Sequence, residues 1–356
     1  MKRNLRAALK YGFSILLTGF FLYLAFRGTD WEQLGIALQH ADYVWVLLMV
    51  PCILISHGFR ALRWRILLHP IKSEISLHNL FSAVMVGYMV NNLIPRAGEL
   101  ARPYTLGRRE HISKSAALGT VLVERILDVW TFLFFLVLFL IFYRGPLIES
   151  FPWLTEVGIV GAVSTVGMLF VFLLLMFKRE LGLTILRFMI RPLPRGIADR
   201  MEKIFLSFLD GFLFVKQPRR YFAITMLSLV IWAWYILMLY IPFFGFDLVD
   251  LYSLDLYSAG VLVVVTSVGV MLPTPGATGT YHSFATETLV QLYGVDRTLA
   301  LGYATVTHAV GYIAITIVGL FYFYREHVSI KEAVRVQISP EGAQLSKTPE
   351  QGDHVR

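Results

Sequence analysis

The apolar residues of this chain fall in runs of about 20, and runs of that length decide the solvent before any finer feature does. They lie near 9–27, 43–60, 116–143, 155–177, 221–244 and 298–324. About 20 helical residues cross a ~30 Å hydrocarbon core. Within lipid only helices and closed barrels satisfy their own backbone groups. Composition agrees: 56% of the 356 residues are hydrophobic and 16% charged, against about 25% charged in soluble domains. Lys2, Arg3, Arg6 and Lys10 precede the first run as in a signal peptide, but Leu24-Ala25-Phe26-Arg27 is a poor cleavage site, so an uncleaved helix is expected. Cys52 is the single cysteine, which excludes an intrachain disulfide. The net charge of +8 needs no nucleic-acid partner, because Lys and Arg collect on the cytoplasmic side of membrane proteins.

Two more apolar stretches, about 76–95 and 256–292, are interrupted. The first ends Asn91-Asn92-Leu93-Ile94-Pro95-Arg96-Ala97-Gly98-Glu99, and the second holds Leu272-Pro273-Thr274-Pro275-Gly276-Ala277-Thr278-Gly279. Proline removes a donor and glycine loosens the backbone, so neither stretch continues as a plain helix. Broken backbone at membrane depth must be buried in protein or line a wet cavity. If both stretches are re-entrant and the N-terminus is inside, the basic residues of 60–72, 102–114 and 178–220 are all cytoplasmic, while Asp30, Glu32, Asp42, Glu149, Asp247, Asp250 and Asp255 are outside. Letting only the first stretch span moves the ten basic residues of 178–220 outside, against the positive-inside rule. The expected fold is therefore an all-α integral membrane protein with about six spanning helices and two re-entrant broken-helix elements, both termini cytoplasmic in the cell inner (plasma) membrane. Residues 1–330 form one polytopic domain, with a surface-lying amphipathic segment in 178–220 and a disordered tail over 331–356. Ile197, Met201, Ile204, Phe205, Phe208, Phe212 and Val215 give that segment its helical spacing.

The two broken stretches also look alike. Each has a Pro-x-x-Gly turn, a polar link and an Ala-Leu-Gly-like opening of a helix, ending at Gly119 and Gly302. Over about 76–143 and 256–324 this reads as an inverted repeat, the pattern that points to a substrate site near the midplane; chance recurrence of small residues is the alternative. Glu124, Arg125 and Asp128 sit inside an apolar run. Three unpaired charges there would cost roughly 9 kcal/mol, so they must be paired or wet. Arg125 and Asp128, three apart, can meet. They are either a self-neutralising packing cluster or a functional one. His308 stands six residues after its repeat glycine, as Arg125 does after its own. Arg96, Glu99 and Arg102 flank the first turn, where a bidentate arginine fork suits a phosphate; Arg102 reads equally as one more cytoplasmic cation. Asn91 and Asn92 can satisfy freed backbone groups or touch a head group, and Gly276, Gly279 and Thr280 shape the second turn.

No His-Glu-x-x-His, Gly-x-Ser-x-Gly or Walker A lysine motif is present. No catalytic residue, metal or cofactor is therefore expected. The string from Asn92 to Arg102, with Val123-Glu124-Arg125-Ile126-Leu127-Asp128, resembles the flippase-like family named for the transmembrane region of lysylphosphatidylglycerol synthase, the multiple peptide resistance factor. Pro273 to Gly279 resembles that family's second turn, and the likeness covers about 9–324. The resemblance implies translocation of aminoacylated or polyprenyl-linked lipids between leaflets, and Pro95, Gly98, Glu99, Arg102, Glu124, Arg125 and Asp128 match its motif. Ala277 replaces a usual glycine and His282 a common acidic residue. No aminoacyl-transferase domain follows Tyr324, so lipid synthesis by this chain alone is not expected. The leading expectation is a lipid flippase or scramblase, not an enzyme, that handles membrane lipids, anionic ones above all. Its substrate residues would be Asn92, Arg96, Glu99, Arg102, Glu124, Arg125, Asp128, His282 and His308, with structural turns at Pro95, Gly98, Pro273, Pro275, Gly276 and Gly279. The alternative is a scaffold or accessory subunit of an envelope lipid- or glycan-modifying enzyme, docked through 178–220.

Overall fold

The computed structural model describes residues 2–142, 147–177, 179–191, 195–210 and 220–325, and within them every regular element is helical. The tail over 331–356 and the Phe212 and Val215 positions lie outside the described residues. In chain order the helices are α1 (Lys2–Phe26), α2 (Trp31–His40), α3 (Tyr43–Leu47), α4 (Met49–Leu68), α5 (Leu77–Leu93), α6 (Gly98–Arg109), α7 (Lys114–Phe142), α8 (Leu147–Ser150), α9 (Trp153–Phe177), α10 (Arg179–Ile190), α11 (Arg195–Asp210), α12 (Tyr221–Gly245), α13 (Leu248–Tyr252), α14 (Leu256–Met271), α15 (Thr280–Tyr293) and α16 (Arg297–Arg325).

Three helical segments among the described residues, Tyr43–Leu68, Tyr221–Gly245 and Arg297–Arg325, are long and apolar enough to cross a membrane. A fourth is added if Gly12–Phe26 and Trp31–His40, bent by 86°, make one span. Length alone also admits α7, at 29 residues, and α9, at 25. The second run, expected at 43–60, continues to Leu68, because Arg60 and Arg63 are buried in protein and need no aqueous end to the helix. Helix α2 replaces an expected external loop; Asp30 caps it by accepting from the Glu32 and Gln33 amides at 3.0 and 3.1 Å. The amphipathic segment is two helices, α10 and α11, joined across their turn by Arg187 and Glu202, whose Arg187 Nε–Glu202 Oε2 distance is 3.1 Å. Leu209 of α11 is buried in one apolar cluster with Leu80, Val121 and Ile224.

Each broken stretch folds into a helical hairpin. In the first, α5 and α6 approach so closely that a Cβ on Gly98 would collide with the Gly87 backbone, and one on Gly87 with the Arg102 side chain. Only glycine at both positions permits that crossing. The Asn91 side chain accepts the freed Gly98 amide at 2.7 Å, so the turn's lost helical bond is replaced locally. In the second hairpin α14 starts on a capping box between Asp255 and Ser258. Its turn carries Gly276 at φ 54° and Gly279 at φ 85°, conformations that favour glycine.

The hairpins point toward one another. The open end of the first lies at the start of α7, where Gly107 packs on Lys114. The open end of the second lies at the far end of α7, where the Tyr257 hydroxyl donates to the Phe139 carbonyl at 3.2 Å. Helix α16 repeats this relation. It begins beside Gly294 at the open end of the second hairpin, and near its end the Tyr322 ring lies 5.3 Å from His78 at the start of the first. The two turns meet against the middle of α16. The Arg96 guanidinium donates to the Met271 carbonyl at 2.9 Å, and Tyr312 donates to the Asn92 carbonyl at 3.2 Å. The core divides accordingly: one apolar cluster joins α12, α14, α15 and α16 with the far half of α7, and another joins α4, α5, α6 and α11 with its near half.

Candidate functional site

Four guanidinium groups and two carboxylates meet where α4, α6, α7 and α12 converge. Helical spacing sets the pieces: Glu124 and Asp128 are four apart on α7, and Arg60 and Arg63 three apart on α4, so each pair shares a face. Glu124 is fully buried. Arg102 grips it as a fork, Nη1 to Oε1 at 3.1 Å and Nη2 to Oε2 at 3.0 Å. Arg60 donates to the same Oε1 at 2.5 Å and to Asp128 Oδ2 at 2.9 Å. Arg63 donates to Asp128 Oδ1 at 2.5 Å. Arg125 reaches Glu124 Oε1 at 3.2 Å and Asp128 Oδ2 at 3.1 Å. Helix α12 adds neutral acceptors, the Tyr235 hydroxyl for Arg60 and the Ser228 hydroxyl for Arg63, both at 2.8 Å.

The neighbourhood holds the cluster in place. The Arg102 guanidinium lies 4.2 Å from the Trp64 ring centroid, and the Trp64 indole donates to Thr120 at 2.8 Å. Gly87 leaves the space through which the Arg102 side chain passes. By helical rise, Glu124 stands ~15 Å from the start of α7. Arg60, Arg63 and Arg102 are buried, whereas Arg125 and Asp128 keep 33% and 20% of their side chains exposed. The cluster is therefore open only beside that pair. The Nε atoms of all four arginines are buried without a hydrogen-bond partner.

The residues singled out in the sequence divide into groups. Arg102, Glu124, Arg125 and Asp128 come together as one cluster, and the expected Arg125–Asp128 pair forms within it. Asn92, Arg96, His282 and His308 gather instead at the meeting of the two turns. Asn92 donates to Thr316 at 3.0 Å, His308 pairs with the Gly276 carbonyl at 2.9 Å, and the His282 and His308 rings lie 4.7 Å apart. The expected substrate residues thus fall into two places, Arg102 and Arg125 in the cluster and Arg96 and His308 at the turns. Arg96 is turned away at φ 63° onto Met271, and His308 is spent on a backbone carbonyl. Glu99 is partly exposed near the start of α6. Pro95 and Gly98 bound the first turn; Pro273, Pro275, Gly276 and Gly279 bound the second. Ala277, where the resemblance has glycine, takes φ 59°, in the region glycine favours. The residues missed were Arg60 and Arg63, read as cytoplasmic cations. Their spacing of three, matching a face that must answer two buried carboxylates, was the available signal. Every arginine of the cluster has a carboxylate partner, but four cations share two anions, so the charges pair without balancing.

Fold and site together define an all-helical membrane protein built on two opposed hairpins around a buried arginine–carboxylate cluster. The chain belongs to the family of the lysylphosphatidylglycerol synthase transmembrane region, whose sequence profile matches residues 11–319. It is 30% identical over 258 residues to a UPF0104 membrane protein of Methanothermobacter thermautotrophicus, covering 68% of this chain and 74% of that one. It is 35% identical over 137 residues to a UPF0104 membrane protein of Methanocaldococcus jannaschii, covering 36% and 40%. A relative from Pyrococcus horikoshii is 25% identical over 300 residues, covering 79% and 87%. No solved structure matches the chain.

Proposed function

We propose that the chain carries lipids with anionic phosphate headgroups between the leaflets, as a flippase or scramblase, and catalyses no bond chemistry. The observation that supports this reading best is the buried cluster of Arg60, Arg63, Arg102 and Arg125 around Glu124 and Asp128, open on one flank. A headgroup crossing hydrocarbon meets the barrier that any charge meets there. A row of guanidinium donors replaces its water with hydrogen bonds of matching geometry. The acyl or prenyl chains need not enter, because the open flank lets them stay in lipid. The family is named for the membrane region of a lipid synthase, which agrees with a lipid as the cargo.

The test is transfer of a fluorescent anionic lipid in vesicles reconstituted with the wild type, Arg102→Gln or Arg125→Gln, each checked for folding by its melting temperature. Transfer should fall at least about tenfold in both variants, the effect of losing one charge-assisted contact. Undiminished transfer in both variants would remove the cluster from the pathway, and no transfer by the wild type would leave the scaffold reading, for which the exposed Ile185, Phe188, Met189 and Ile197 of α10 and α11 are the docking surface.

A further inference from the structure

The charges in the cluster do not balance, and the imbalance specifies a ligand. Four guanidinium groups face two carboxylates. The other polar partners, Tyr235 and Ser228, are a phenol and an alcohol. Two positive charges are thus left unmatched where Arg63 and Glu124 are both fully buried. Unmatched charge away from water is costly unless something neutralises it. The donors are also in excess. A guanidinium has five N–H groups, and Glu124 Oε1 already lies within 4 Å of Arg60, Arg63 and Arg125. A bound group that brings two negative charges balances the cluster, its oxygens facing the partly exposed Arg125.

We infer that the ligand of this cluster is a dianionic phosphate, a phosphomonoester or diphosphate headgroup, in preference to the monoanionic phosphodiester of an ordinary phospholipid. This deepens the proposed function and rests on it for the lipid as the source of the phosphate. A phosphodiester carries one charge and would leave one cation unmatched. A phosphomonoester at pH 8 carries close to two. Entry lies past Arg125 and Asp128, the two partly exposed members.

The experiment measures thermal stabilisation of the purified full chain at pH 8 by short-chain phosphatidic acid, by short-chain phosphatidylglycerol and by inorganic phosphate or pyrophosphate. Vesicle transfer of the same two lipids runs in parallel. Phosphatidic acid should bind at least about tenfold more tightly than phosphatidylglycerol, since one extra charge meets an unscreened cation. The preference should shrink toward unity in Arg125→Gln, which leaves one unmatched charge, and should persist or grow in Asp128→Asn, which leaves three. A merely structural role for either residue would move stability without moving this ratio. Equal binding of the two lipids by the wild type, or a ratio that ignores both substitutions, overturns the inference. Stabilisation by free phosphate equal to that by phosphatidic acid overturns the lipid source and assigns the site to a soluble anion. If phosphatidic acid binds selectively but neither lipid is transferred, transport fails while the charge assignment stands.

Discussion

At the scale of single residues the cluster is governed by the cost of separating buried charges. Removing one partner of a buried ion pair costs about 3–5 kcal/mol, because its partner is stranded. Glu124→Gln strands guanidinium groups around a carboxylate with no exposure at all. Asp128 retains 20% exposure, so solvent softens its loss. Glu124→Gln should therefore lower stability by that amount and Asp128→Asn by distinctly less. Melting temperatures of the two variants in one detergent check this, and a larger loss in Asp128→Asn would mean that burial does not set the ranking. Glu124, Arg125 and Asp128 were legible in the sequence because each interrupts an apolar run. Arg60 and Arg63 were not. A cation near the end of a span looks the same in sequence whether it snorkels to water or turns inward, and only the packing of α12 across α4 decides.

At the scale of elements, the hairpins were legible because Pro95, Gly98, Pro273, Pro275, Gly276 and Gly279 forbid an unbroken helix. Helix α2 was not, since ten residues of mixed polarity read as a loop until Asp30 is seen capping them. The split of 178–220 into two helices was hidden because the spacing read there begins at Ile197 and so describes α11 alone. What fastens the open end of the first hairpin also escaped notice. Glu110, following α6, accepts from Lys72 at 2.5 Å and from Asn79 at 2.6 Å. Burial pushes its carboxyl up, but Lys72, Asn79 and the Ser76 amide outweigh that and hold it below the usual glutamate range. A depressed carboxylate contributes stability that is complete above its unfolded value of about 4.3 and is lost as pH falls through its lower folded value. Wild type should therefore be more stable than Glu110→Gln at neutral pH, and the gap should close on acidification through that window. Stability curves that stay parallel down the acid limb would show that this contact does not hold the hairpin.

At the scale of the whole molecule, charge asymmetry predicts hairpins that enter from opposite faces, and within the fold the two hairpins point toward one another along α7 and α16. What no count of charges disclosed is that the turns touch. The orientation in the membrane remains a proposal with a direct test. Arg191 follows α10, and Asp250 lies in α13. In a Cys52→Ser background, a cysteine at 191 should react only from the cytoplasmic side and one at 250 only from outside. External labelling at 191 would reverse the topology. The meeting of the turns also bears on how often the molecule opens. Four neutral or singly charged hydrogen bonds hold the first turn against α16 and the second turn: Asn92 to Tyr312 and to Thr316, Tyr312 to Asn92, and Arg96 to Met271. At ~1 kcal/mol each they would leave roughly one molecule in a thousand parted at any instant. A carrier gated there would spend nearly all its time shut, and its turnover would be set by the rarity of the open state rather than by the speed of the lipid.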